Sequence, residues 1–187
     1  MKMNRAYKKG LFLLPSMFSL TNLFFGFMSI TVSLQGRFRL AAELIIVAAV
    51  LDGLDGIVAR ATRTHSDFGI QVDSLSDAIS FGGATSILLY YWGLPSAGKS
   101  GFFFSFVFLA AGVLRLARYN VRAKAQPDRR YFQGLPVPSA AVFMSSIVFL
   151  HPKPIEAREI AFLLALLTIV IAFCMVSTIR YKNILSF

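Results

Sequence analysis

Charge is scarce in this 187-residue chain: Asp, Glu, Lys and Arg make up only 15% of it, while 56% is hydrophobic. A soluble domain normally carries roughly a quarter of its residues as charges, so a water-soluble globular enzyme is excluded. Cysteine is nearly absent. Cys174 is the sole example, which leaves no internal disulfide and no ligand set for a cysteine-based zinc site. Disorder is excluded by the apolar content and a mean hydropathy of +0.66. Acidic residues are few as well, 9 against 19 basic ones, for a net charge of +10. In so apolar a chain that excess reads as membrane topology rather than as a nucleic-acid footprint. There is no low-complexity stretch and no clear internal repeat.

What the sequence has instead is long apolar runs. Six are long enough to cross a bilayer, which takes roughly 20 residues each: 12–34, 39–61, 67–92, 100–122, 136–152 and 157–178. They predict an all-α, polytopic membrane protein with six transmembrane helices, forming a single membrane domain over 1–187. The first run reads as a membrane helix rather than a cleavable signal peptide. Residues 1–10, with Lys2, Arg5, Lys8 and Lys9, read as a short basic interfacial segment. If the six runs alternate across the membrane, one side receives those four, Arg60, Arg63, the cluster Arg115, Arg118, Arg122, Lys124, Arg129 and Arg130, and Arg180 and Lys182. The other side receives only Arg37, Arg39, Lys99, Lys153 and Arg158. The positive-inside rule then puts both termini in the cytoplasm and the chain in the cytoplasmic (inner) membrane. Trp92 and Phe102, Phe103 and Phe104 are expected to face lipid or anchor at the interface.

Five of the nine acidic residues fall between Asp52 and Asp77, four of them well inside apolar runs and Asp67 at the edge of one. Charges at that depth are costly and mark function. Asp52 and Asp55 are three apart and Asp73 and Asp77 four apart, so each pair shares one helix face. Gly56 and Ala59 extend the first face, Gly69 and Ser80 the second. With a rise of about 1.5 Å per residue, Asp55 and Asp73 each lie about 9 Å from the turn between the two helices, and Asp52 and Asp77 about 15 Å. An antiparallel hairpin therefore gathers four carboxylates at two levels near the cytoplasmic face. Bare, they would repel one another, so protons or cations must neutralise them. All-oxygen ligation favours hard ions, Mg²⁺, Mn²⁺ or Ca²⁺, and so acidic a cluster has room for two, which suits phosphate chemistry. Gly56 and Ala59 clear space beside the metals, and Arg60 could pair with a phosphate. Helix packing through small residues and buried ion pairs is the plainer alternative, but paired carboxylates without matching bases pack helices poorly.

The pattern Asp52-x-x-Asp55-Gly56-x-x-Ala59-Arg60, eight residues, then Gly69-x-x-x-Asp73-x-x-x-Asp77 resembles the signature of the CDP-alcohol phosphotransferases without a departure. Arg115-Leu-Ala-Arg118-Tyr-Asn120, Gly134-Leu-Pro136-Val-Pro138 and Asp73-Ser-Leu-Ser-Asp77-Ala-Ile-Ser-Phe-Gly82 are similar to the bacterial and archaeal phosphatidylserine synthase subgroup. One departure is Ser16 after Pro15, where relatives commonly have Asn; no site residue is expected from helix 1.

The resemblance implies a six-helix membrane enzyme, usually a homodimer. It would transfer a phosphatidyl group from CDP-diacylglycerol to the hydroxyl of L-serine, releasing CMP within phospholipid synthesis. It implies Asp52, Asp55, Asp73 and Asp77 as metal ligands, with Asp77 also the general base. Gly56, Ala59, Arg60, Ser66 and Gly69 are the expected CDP-lipid contacts, and Arg115, Arg118 and Asn120 candidates for serine or a lipid phosphate. Other acceptors (inositol phosphate, glycerol phosphate), an archaeal ether-lipid donor, and a cation channel or transporter remain open from the residues alone. A transporter would more often show broken helices and ligands split over two repeats. His65 in the turn reads as solvated, and the isolated His151-Pro-Lys153 carries no phospholipase D-type site.

Overall fold

A computed structural model describes residues 5–62, 67–125, 131–178 and 180–182, with side chains over 17–54, 68–122 and 134–178. Its elements are α1 (Arg5–Leu34), α2 (Phe38–Thr62), α3 (Asp67–Asp77), α4 (Ala84–Trp92), α5 (Lys99–Ala125), α6 (Val137–Leu150) and α7 (Arg158–Val176). A two-stranded antiparallel ribbon, β1 (Tyr131–Gln133) and β2 (Arg180–Lys182), pairs Phe132 with Tyr181. The architecture is thus helical, as the apolar runs predict. Met17–Leu34, Lys99–Arg122 and Arg158–Val176 are each long and apolar enough to cross a membrane. Helix α1 begins at Arg5, within the basic segment expected over 1–10, whose first four residues lie outside the described residues.

Periodicity explains how α1 sits. Ser19, Asn22, Gly26, Ser29 and Ser33 recur at three- and four-residue steps and are all buried, while Leu20, Phe24, Phe27 and Leu34 point outward. Small and polar residues therefore line the packed face and large apolar ones the outer face, the arrangement membrane helices use for close approach. The chain reverses through Gly36, whose φ of 74° suits a residue without Cβ. Returning α2 packs Ala41, Ala42, Ile45 and Ala48 inward, and the Ser29 hydroxyl donates to the Ala41 carbonyl at 2.9 Å.

Between α3 and α4 the helix continues without a break through a π-helical turn, Ala78–Gly83. Such wider turns are frequent at functional sites, and this one follows Asp77 directly. The Ser86 and Ser105 hydroxyls each donate to the other's carbonyl, at 2.9 and 2.7 Å, stapling α4 to α5. Trp92 departs from the sequence expectation. It is only 3% exposed, and its indole N–H reaches the His151 and Lys153 carbonyls, each at 2.9 Å. It clamps the α6–α7 connection instead of anchoring in lipid. Phe102 and Phe103 do face outward.

Candidate active site

Two helices deliver the carboxylates. Asp52 comes from α2, and Asp73 and Asp77, one helical turn apart, from α3. Each offers one carboxylate oxygen, and the three oxygens lie within 4.8 Å of one another. The hairpin deduced from the spacing therefore forms for these three. Asp55, Gly56, Ala59 and Arg60 lie on α2, but their side chains are outside the described residues, as is Ser66 altogether. Gly69 sits one turn before Asp73, half-buried.

Two unit charges about 4.8 Å apart repel by about 3.5 kcal/mol at an effective dielectric of 20. Asp77 lies in the field of both Asp52 and Asp73, so a proton or a cation must sit among them. The donor set fits a hard divalent ion. Ligands bound at roughly 2.1–2.5 Å can be no more than about 5 Å apart, and these three satisfy that limit with oxygen donors only.

Helix α1 supplies a second wall, which the sequence reading left empty. The Ser19 hydroxyl donates to Asp73 Oδ1 at 3.3 Å, and Asn22 Nδ2 donates to Asp77 Oδ1 at 3.1 Å. The Ser80 hydroxyl in the π-helical turn donates to the Asn22 carbonyl at 3.0 Å. The signal was present in the sequence: Ser19 and Asn22 are polar, three apart, and embedded in an apolar helix. On the other side, Asn120 Nδ2 on α5 donates to the Ser74 hydroxyl at 2.8 Å, bracing α3 between Asp73 and Asp77.

The two arginines paired by the sequence are separated by the structure. Arg118 directs its guanidinium to the carbonyls of Val176, Ser177 and Met175, at 2.7, 3.0 and 3.4 Å, capping the C-terminus of α7. Gly134, at φ 74°, closes the same junction, because a Cβ there would meet the Met175 carbonyl. Arg115 is different. It is 8% exposed, its Nε has no hydrogen-bond partner among the described residues, and it lies in the electrostatic reach of Asp77. A buried cation beside a carboxylate cluster, with a free donor, is equipped to hold an anionic group.

Residues 12–176 match the sequence profile of the family described as CDP-alcohol phosphatidyltransferase. The chain belongs to that family. It is a transferase of phospholipid biosynthesis, and its apolar helices make it a membrane protein. Among relatives of this CDP-alcohol phosphatidyltransferase, the CDP-diacylglycerol–serine O-phosphatidyltransferase of Helicobacter pylori (strain ATCC 700392 / 26695) is 38% identical over 175 residues, covering 92% of this chain and 73% of that protein. The archaetidylserine synthase of Methanothermobacter thermautotrophicus is 35% identical over 177 residues, covering 91% and 70%. The CDP-diacylglycerol–serine O-phosphatidyltransferase of Mycobacterium tuberculosis (strain ATCC 25618 / H37Rv) is 37% identical over 142 residues, covering 74% and 49%.

Proposed function

We propose that this phosphatidyltransferase moves the phosphatidyl group of CDP-diacylglycerol onto the hydroxyl of L-serine and releases CMP. The observation that carries the reading is the Asp52–Asp73–Asp77 cluster with Asp77 held by Asn22, in a family that acts on CDP-linked lipids. Serine is the part of the reading supported by the relatives, since bacterial and archaeal ones alike are named for it.

Asp52, Asp73 and Asp77, with Asp55 on the same face of α2, would hold Mg²⁺ or Mn²⁺. When bound, such an ion supplies charge neutralisation at the pyrophosphate and at the departing CMP. Asp77 is 7% exposed and fixed by a hydrogen bond at one oxygen, so it can take the serine hydroxyl proton as general base. The serine oxygen then bonds to the phosphorus of the phosphatidyl group as the bond to CMP breaks. Arg115 anchors an anionic group beside the cluster, a lipid phosphate or the serine carboxylate. Gly56, Ala59, Arg60, Ser66 and Gly69 flank the carboxylates in sequence and would receive the CDP moiety. Arg118 and the Gly134 turn hold the C-terminus of α7 against α5. Asn120 acts through Ser74 on α3. In this reading all six helical rods cross the cytoplasmic membrane as one domain, with both termini and the site on the cytoplasmic side, and two copies form a homodimer.

The test is release of CMP by the purified enzyme given CDP-diacylglycerol and serine. EDTA should abolish it and Mg²⁺ or Mn²⁺ restore it. Release that survives thorough chelation would overturn the metal assignment.

A further inference from the structure

Asn22 is 1% exposed, and the two arms of its amide are treated differently by the fold. Nδ2 donates to Asp77 Oδ1 at 3.1 Å. Oδ1 has no hydrogen-bond partner among the described residues. The assignment of the two arms follows from chemistry: with a cation neutralising the cluster Asp77 is ionised and can only accept from the NH₂ end, which leaves the carbonyl end as the unsatisfied group. Hydroxyls close by are committed elsewhere, that of Ser19 to Asp73 and that of Ser80 to the Asn22 backbone carbonyl. A buried acceptor without a donor is costly and rare. This one stands beside the carboxylate proposed as the base, on a helix clamped by Ser80 and by the close approach of Gly26 to Ser80.

We propose that Asn22 Oδ1 receives the ammonium group of the acceptor and so selects a vicinal amino alcohol over a plain hydroxy acid. The two arms of one amide lie side by side, as do the hydroxyl and the amine on neighbouring carbons of serine. A hydroxyl directed at Asp77 therefore brings the adjacent ammonium toward Asn22 Oδ1. A carbonyl oxygen accepts more strongly from a charged ammonium than from a neutral donor. The inference rests on the reading of Asp77 as the base that meets the acceptor hydroxyl, and it adds a specificity-determining contact to that site.

Equilibrium binding of L-serine and of 3-hydroxypropionate, which lacks only the amine, to the full-length enzyme with Mg²⁺ and CMP tests this. In the wild type serine should bind roughly tenfold or more tightly than 3-hydroxypropionate, the scale of a hydrogen bond to a charged group. Asn22→Leu should bring that ratio close to one while 3-hydroxypropionate affinity changes little. Asn22→Asp keeps an accepting oxygen and nearly the same shape, so it should keep the preference for serine even as turnover falls. An unchanged ratio in Asn22→Leu, or a higher Mg²⁺ requirement with the ratio intact, would overturn the proposal and leave Asn22 as a positioning residue or metal ligand. Loss of the preference in Asn22→Asp, or loss of a thermal unfolding transition in both variants, would overturn it too. A wild-type enzyme that makes no phosphatidylserine would instead refute the proposed function itself.

Discussion

Gly26→Ala should disable the enzyme from a position that touches no substrate. A Cβ on Gly26 would stand 2.5 Å from Ser80 Cα, where ordinary contact is 3.4–4 Å, so α1 and the π-helical turn must separate by about 1 Å. The obstacle is backbone, which cannot rotate away. Asn22 lies one turn before Gly26 on the same face, and its 3.1 Å bond to Asp77 would stretch beyond hydrogen-bonding range. Overpacking of this kind costs about 1–3 kcal/mol, offset in part by about 0.5–1 kcal/mol from replacing glycine in a helix. Misplacing catalytic groups by about 1 Å can cost roughly 10²-fold in rate, so turnover should fall far more than stability. Gly53→Ala is the matched control, because a Cβ there meets nothing within 4 Å among the described residues. Turnover with saturating serine and thermal unfolding in detergent should be measured for both. If Gly26→Ala keeps the turnover of Gly53→Ala, the α1 wall does not hold Asp77 and the reasoning fails.

Asp77→Asn should lower turnover by about 10²–10⁴-fold, the usual contribution of a general base; near-normal turnover would remove it from the chemistry. Arg118→Ala deletes the donor to three carbonyls at the end of α7 and should lower the unfolding temperature while the serine KM changes less than about threefold; a selective rise in that KM would make it a substrate contact. Arg115→Gln should raise the KM of the substrate whose anion it holds by at least about tenfold, read by varying CDP-diacylglycerol and serine separately, and unchanged constants for both would remove the anion site.

The carboxylate hairpin was legible in the sequence because helical spacing alone puts Asp52 on one face and Asp73 with Asp77 on another, and the fold joins these faces. The six apolar runs likewise coincide with helical rods, since length and hydropathy are local properties. Contacts between distant helices were not local. Ser19 and Asn22 interrupt an apolar run with polarity that points inward, yet only the packing of α1 on α3 gives them partners 54 and 55 residues away. Trp92 shows the opposite error: an aromatic at the end of an apolar run suits the interface by composition, but two carbonyls 59 and 61 residues on draw its N–H inside. Arg115 and Arg118 sit three apart in one motif, and only the position of α7 makes Arg118 a helix cap while Arg115 Nε keeps no hydrogen-bond partner among the described residues.

The central claim is that serine is the acceptor. Purified enzyme given CDP-diacylglycerol, Mg²⁺ and an equimolar mixture of L-serine, glycerol phosphate and inositol phosphate should be followed by mass spectrometry of the lipid product. The account predicts phosphatidylserine, formed one for one with CMP. A different headgroup, or CMP released without any new lipid, would contradict it.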